Sequence, residues 1–141
     1  MDRAILLTHL PESVREVLSE LASEFSTQSV WLVGSRANQS ARSDSDWDML
    51  VFSSVDTERR SPRRPGIDVI RVGPSGLSLL EGKSEVFRKS FDDWKWNTVD
   101  ERLANYLGAK TDSKSVTEGV VYDLPKTRAT KQQAFLLWTR N

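Results

Sequence analysis

The chain has 141 residues, 38% hydrophobic and 28% charged, which suits one domain with a real core and a solvated surface. Lys and Arg number 20, as do Asp and Glu, so the formal net charge is zero. That balance argues against holding nucleic acid or an anionic membrane by overall charge, leaving only a local basic patch for the purpose. With no cysteine, thiolate catalysis, disulfides and Cys-based zinc sites are excluded.

The first residues, Met1 to Leu7, carry too short an apolar run for a signal peptide, and Pro11, Glu12 and Arg15 interrupt it. No stretch approaches the ~20 apolar residues of a membrane helix, so a soluble, cytoplasmic protein is expected. Val14, Val17, Leu18, Leu21 and Phe25 recur at helical spacing behind Pro11 and Glu12, which predicts an amphipathic helix over residues 11–25. Ser29-Val30-Trp31-Leu32-Val33, stopped by Gly34, reads as a buried strand, and residues 46–52 as a second. Residues 53–66 read as loop. Residues 67–72 form a third strand with apolar side chains on both faces, as in a strand covered on both sides.

The second half is less regular. Thr98-Val99-Asp100-Glu101 matches a capping box, and Val99, Leu103, Tyr106 and Leu107 predict a helix running up to Gly108. Val120-Val121-Tyr122 suggests a late strand, and Thr130-Lys131-Gln132-Gln133 suits the cap of a final helix carrying Phe135 to Trp138. The expected architecture is α/β, one domain over residues 1–141. It has a small mixed sheet backed by helices, a motif core over about residues 28–73 and a helical extension over about 84–141.

The chemistry concentrates in the first half. Asp46 and Asp48 lie two apart on a predicted strand and so project from one side. Two ionised carboxylates that close repel, and an apolar sheet raises the cost, unless a cation lies between them. Hard oxygen donors of this kind suit Mg²⁺ or Mn²⁺, with phosphates completing the coordination. Asp68, an acid inside Ile67-Asp68-Val69-Ile70, repeats the anomaly, and a neighbouring strand would bring it alongside. Three acids there would suit two divalent ions clamping an in-line phosphoryl displacement. Gly34-Ser35 at the first strand's end permits a sharp turn and close approach of an anion to the amides, with Ser35 opening a short helix and Arg36 following. Metal-bound nucleoside triphosphate is the ligand that calls for all of these.

Gly34-Ser35, ten residues, then Asp46-Trp47-Asp48 resembles the signature of the DNA polymerase β-type nucleotidyltransferase superfamily, nearest its minimal stand-alone branch. The resemblance is specific over about residues 30–72. It implies the polymerase β-type fold, Mg²⁺ or Mn²⁺ as cofactor, and transfer of a nucleoside monophosphate from an NTP to a hydroxyl with release of pyrophosphate. It implies that Gly34 and Ser35 hold the triphosphate, with Arg36 beside them. Asp46, Asp48 and Asp68 would bind metal, and Asp68 would also activate the hydroxyl. ATP is the expected nucleotide and a protein or small molecule the expected acceptor. Some small members pair with a helical toxin and inactivate it by adenylylation, so a helical protein partner and a toxin–antitoxin setting enter as expectations. Many members have glycine near Gln39, where this chain has Asn38-Gln39-Ser40, and residues beyond about 85 match no named acceptor module.

Several residues keep two readings. Asp123 rivals Asp68 as the third acid. Arg36 either holds phosphate or pairs with Asp44, which itself suits the turn before the strand, and Arg42 reads as a solvated charge. Arg59, Arg60, Arg63 and Arg64 suit either contact with a nucleic acid or an acidic partner or a solvated loop, and His9 stands apart from every motif. Trp94 and Trp96 suit either base stacking or burial; Trp31 and Trp47 read as core. Two rival functions stand beside the transferase: an antitoxin-like protein-binding module whose nucleotide site is vestigial or needs a partner, and a nucleic-acid-end enzyme using Arg59 to Arg64.

Overall fold

The computed structural model describes residues 10–38, 41, 45–56, 64–80, 88–112, 115–117, 120–122 and 126–140, and structural statements below concern these residues. In chain order the elements are α1 (Glu12–Ser23), β1 (Thr27–Val33), α2 (Gly34–Ala37), β2 (Trp47–Ser53), β3 (Ile67–Val72), β4 (Leu77–Leu80), β5 (Arg88–Ser90) and a 3-10 turn (Phe91–Trp94). They are followed by β6 (Asn97–Thr98), β7 (Leu103–Asp112), β8 (Ser115–Thr117), β9 (Val120–Tyr122) and β10 (Lys126–Thr139). Eight strands form one sheet in the order β5-β4-β3-β2-β1-β10-β7-β6, and β8 and β9 form a separate hairpin. The sheet is mixed: β2 and β3 run parallel, while the other neighbouring strands are antiparallel.

Helix α1 forms because Val14, Val17 and Leu21 fall on one face and can be buried together. That face packs on Val30, Met49, Val51, Ile67 and Val69, one side of β1, β2 and β3. The helix stops at Ser23, earlier than the periodicity predicts, because the chain turns at Glu24 with the Thr27 N–H donating to the Glu24 carbonyl. Phe25, expected on the apolar face, lies past that turn and is 94% exposed. A bidentate ion pair anchors the same corner: Arg71, buried within β3, places its Nη1 and Nη2 2.6 and 3.0 Å from the carboxylate of Glu24.

The opposite face of the sheet is covered by aromatic side chains. Phe91, Trp94 and Trp96 pack with Trp31, Leu50, Phe52, Val72, Ala104 and Tyr106. Trp96 meets Trp31 edge-on at 5.1 Å between ring centres and Phe52 at 5.3 Å, a favoured aromatic geometry. The reversal between Trp94 and Trp96 runs through Lys95, whose φ of 49° is left-handed. It brings both indoles to one sheet face without their belonging to a strand. Both are half-buried against that face.

Where a helical extension is expected over about 84–141, the described residues are instead mostly strand. Thr98 to Arg102 is not a helix cap but the turn of the β6–β7 hairpin, with the Val99 and Asp100 N–H groups donating to the Leu103 carbonyl. Beyond it Ala104 and Tyr106 are buried while Leu107 is exposed, the two-residue alternation of a strand. Residues 135–138 lie in β10, between β1 and β7, where both faces are covered. Such a strand reads as a continuous apolar run and carries no period that separates it from a helix. Among the described residues, the α-helices are α1 and the four-residue α2, so the helical backing there is limited. Strand β9 falls where the late strand is expected. Among the described residues no helix is long and apolar enough to cross a membrane.

Candidate active site

Three consecutive strands put the expected residues in a row. In the β1–β2 pair Val33 lies opposite Asp48, and in the parallel β2–β3 pair Asp48 lies opposite Asp68. Alternation along β2 sends Met49 and Val51 into the α1 core and leaves Asp48 on the aromatic face, at the end where β1 gives way to α2. The Asp48 and Asp68 carboxyls share a hydrogen bond. Asp46 lies one residue before β2 begins, closer to the loop than the sequence predicts, and acts on Asp48 through its charge alone.

The Asp48 carboxyl is pushed up from the ordinary 3.8 to about 7. Burial is the largest cause, followed by the negative charge of Asp68, the hydrogen bond between the two carboxyls and the charge of Asp46. Asp48 thus binds its proton far more tightly than an ordinary aspartate does.

Gly34 answers to this carboxylate directly. Its φ of +74° is a conformation that L side chains rarely adopt, and a Cβ added there would overlap the Asp48 carboxyl. Its N–H is not open to a ligand, however. It donates to the Tyr106 hydroxyl at 2.8 Å, and that hydroxyl donates to Oε1 of Gln132 at 3.0 Å. The Gly34 carbonyl is equally committed, accepting the backbone N–H of Asn38 at 3.1 Å and its Nδ2 at 2.8 Å. Asn38 in turn is locked to β10, its Oδ1 accepting the Gln133 N–H at 2.8 Å. Burial pushes the Tyr106 hydroxyl up, and the charge of nearby Asp48 adds to it, while the Gly34 N–H and Asn38 work the other way.

Arg36 follows Ser35 in α2, which opens with Gly34 and Ser35 as expected. Its guanidinium lies 4.7 Å over the Trp47 ring and Nη2 donates to the Ser45 carbonyl at 2.9 Å. It therefore staples α2 to the entry of β2 on the Trp47 side, whereas Asp48 projects to the other. Its expected partner Asp44 lies outside the described residues, as do Gln39, Arg42, Arg59, Arg60, Arg63, the rival acid Asp123 and His9. Of the basic cluster Arg64 is described, and it pairs with Glu20 at 2.8 Å. Tyr106, Asn38 and Gln132 were not marked as site residues by any local motif. Strands β7 and β10 bring two of them in from far along the chain.

Residues 14–117, well over half of the chain, match the model of the nucleotidyltransferase domain family. The chain belongs to that family. The matched span contains the whole row Gly34, Asp48 and Asp68 as well as Tyr106. Comparison with curated proteins and with solved structures finds no match.

A nucleotidyltransferase domain of this kind is expected to work with a divalent cation, and the donors present fit one. Among the described residues no three acidic or histidine side chains converge into a ready-made cage. The paired oxygens of Asp48 and Asp68, held together against their own repulsion, match the one or two carboxylates that Mg²⁺ takes when phosphates and waters supply the rest.

Proposed function

We propose that the protein is a metal-dependent nucleotidyltransferase that moves a nucleoside monophosphate, AMP in the first instance, from an NTP to a hydroxyl of a protein or small-molecule acceptor. The observation that carries this reading is the Asp48–Asp68 pair: two acids in register on parallel strands, one of them held at about 7 by burial and by its neighbours. A fold gains nothing from that pairing alone, and strongly shifted groups on a common face mark functional sites.

Asp48 and Asp68, with Asp46 at the entry of β2, would hold Mg²⁺ or Mn²⁺. The cation would neutralise the carboxylates and offset the charge that builds on the phosphates during transfer. Gly34 gives the turn its shape, and Ser35 offers its hydroxyl and amide to the β- and γ-phosphates, with the Arg36 charge one residue on. The acceptor oxygen attacks the α-phosphorus in line. The bond from that phosphorus to the oxygen bridging to the β-phosphate breaks, and its electron pair leaves with pyrophosphate. Asp68 takes the proton of the attacking hydroxyl.

Thermal unfolding with Mg²⁺, with ATP and with both tests this reading. A ligand at about a hundred times its Kd stabilises the native state by roughly 2.7 kcal/mol, which shifts Tm by several degrees in a chain of this size. The expected result is a shift of the wild type only when both are present, and none in Asp48→Asn/Asp68→Asn. Equal shifts in wild type and double variant would contradict it.

A further inference from the structure

Around Gly34 the hydrogen bonds close into a ring. The Gly34 N–H donates to Tyr106, Tyr106 donates to Oε1 of Gln132, and Asn38 Nδ2 donates to the same Oε1 at 3.4 Å and to the Gly34 carbonyl at 2.8 Å. Every member but Asn38 and Gly34 comes from the second half of the chain. Gln132 is oriented by its other end, where Nε2 donates to the Thr130 hydroxyl at 3.2 Å, and Thr130 donates to the Gly108 carbonyl at 3.4 Å. The Tyr106 ring is fixed as well, buried and packed 5.2 Å from the centre of Trp94 and 6.3 Å from that of Trp96. A phenol held so firmly on its aromatic side cannot swing away to release the amide it accepts.

From this geometry we infer that Tyr106, Gln132 and Asn38 are positioning residues of the nucleotide site. Together they clamp Gly34 so that the turn keeps the shape required beside Asp48, and the Gly34 amide serves the clamp rather than the phosphates. The inference rests on the nucleotidyltransferase reading above and deepens it, since it says which groups of the turn the triphosphate does not touch. It also gives Gly108 a purpose. That glycine lies opposite Thr130 in the β7–β10 ladder, and a Cβ there would overlap the Gln132 side-chain amide. The obstructing atoms are the end of a flexible side chain, so alanine at 108 displaces Gln132 at small cost to the fold and opens the ring from a strand that carries none of the proposed phosphate or metal ligands.

The test combines two readouts on the full chain: ATP affinity in the presence of Mg²⁺ by calorimetry, and hydrogen exchange of the Gly34 amide without nucleotide. In Tyr106→Phe, Gln132→Leu and Gly108→Ala the Gly34 amide should exchange faster than in wild type. Each variant should bind ATP·Mg²⁺ more weakly by about three- to tenfold, the effect of losing one net hydrogen bond. Their unfolding midpoints without ligand should stay close to one another. The double variant Tyr106→Phe/Gln132→Leu should bind no more weakly than the worse single one, because a ring opened once is already open. Unchanged exchange at Gly34 would overturn the clamp itself. Faster exchange with unchanged or tighter ATP binding would overturn its role, since it would mean that the freed amide turns to the phosphates. A wild type that binds no nucleotide while its Gly34 amide is protected would overturn the transferase reading, and the inference with it, though leaving the ring as a structural fact.

Discussion

Asp48 carries the clearest physical signature in the molecule. Its folded-state pKa lies at about 7 against 3.8 for an ordinary aspartate. A carboxyl with a raised folded pKa binds its proton more tightly in the native state, so its contribution to stability is full below about pH 4. That contribution is lost as pH rises through about 7. Discounted for residual solvent access, the loss is on the order of 2 kcal/mol. Chemical denaturation of the ligand-free protein between pH 4.5 and 8 should therefore show stability falling with pH in the wild type. In Asp48→Asn that part of the decline should vanish, leaving the variant more stable at pH 7 by about the same amount while transfer is abolished. An Asp48→Asn protein less stable than wild type at pH 7 would contradict the account. Gly34 gives the opposite case. Gly34→Ala meets both a left-handed φ and the Asp48 carboxyl, so a loss of about 2–3 kcal/mol is expected, together with loss of nucleotide binding. Equilibrium unfolding and calorimetry check the two parts separately. These residues were legible from sequence because strand alternation and a glycine at a strand end are local signals. Tyr106 was not, because only the pairing of β7 with β10 and β6 tells a tyrosine in a strand from one on a helix face.

At the scale of elements, α1, β1, β2 and β3 follow the sequence closely. Each has a local period or a clear stop, and β3 matches residue for residue. The second half misleads for a definable reason. Leu103, Tyr106 and Leu107 sit at helical spacing by coincidence with an alternating strand, and the stretch 135–138 is apolar throughout because β10 is covered on both faces. The capping-box residues form a hairpin turn instead, where Asp100 Oδ1 accepts the Arg102 N–H at 2.7 Å. The ion pair that ties β3 to the end of α1 was equally hidden, since a charged residue within an apolar strand names no partner. Arg71 is buried and Glu24 is partly open. Removing the carboxylate takes a bidentate partner from a buried guanidinium, so Glu24→Ala should cost about 1–3 kcal/mol. Arg71→Met/Glu24→Ala should recover part of that loss, because the buried charge goes too. Urea unfolding of the three proteins checks the order, and a double variant weaker than Glu24→Ala by the full value of a second substitution would contradict it.

The whole molecule divides its labour between the two faces of one sheet. Helix α1 closes one face with aliphatic side chains, Val14, Val17 and Leu21. The other face bears the aromatic cluster and, at one end, the acids, so the core packing and the site share the strands β1, β2, β7 and β10. The second half of the chain thereby reaches the candidate site, since it delivers Tyr106 and Gln132 to Gly34. Family membership states the general chemistry, transfer of a nucleotidyl group, and the Asp48–Asp68 pair is where this chain would perform it. The central claim is that this pair takes a divalent cation together with a triphosphate. The most direct measurement is a Mn²⁺ titration followed by electron paramagnetic resonance, with and without ATP, on wild type, Asp48→Asn and Asp68→Asn. The account predicts that protein with ATP binds more Mn²⁺ than ATP alone, and that either substitution removes the excess. Equal binding by wild type and both variants would place the cation elsewhere and contradict the account.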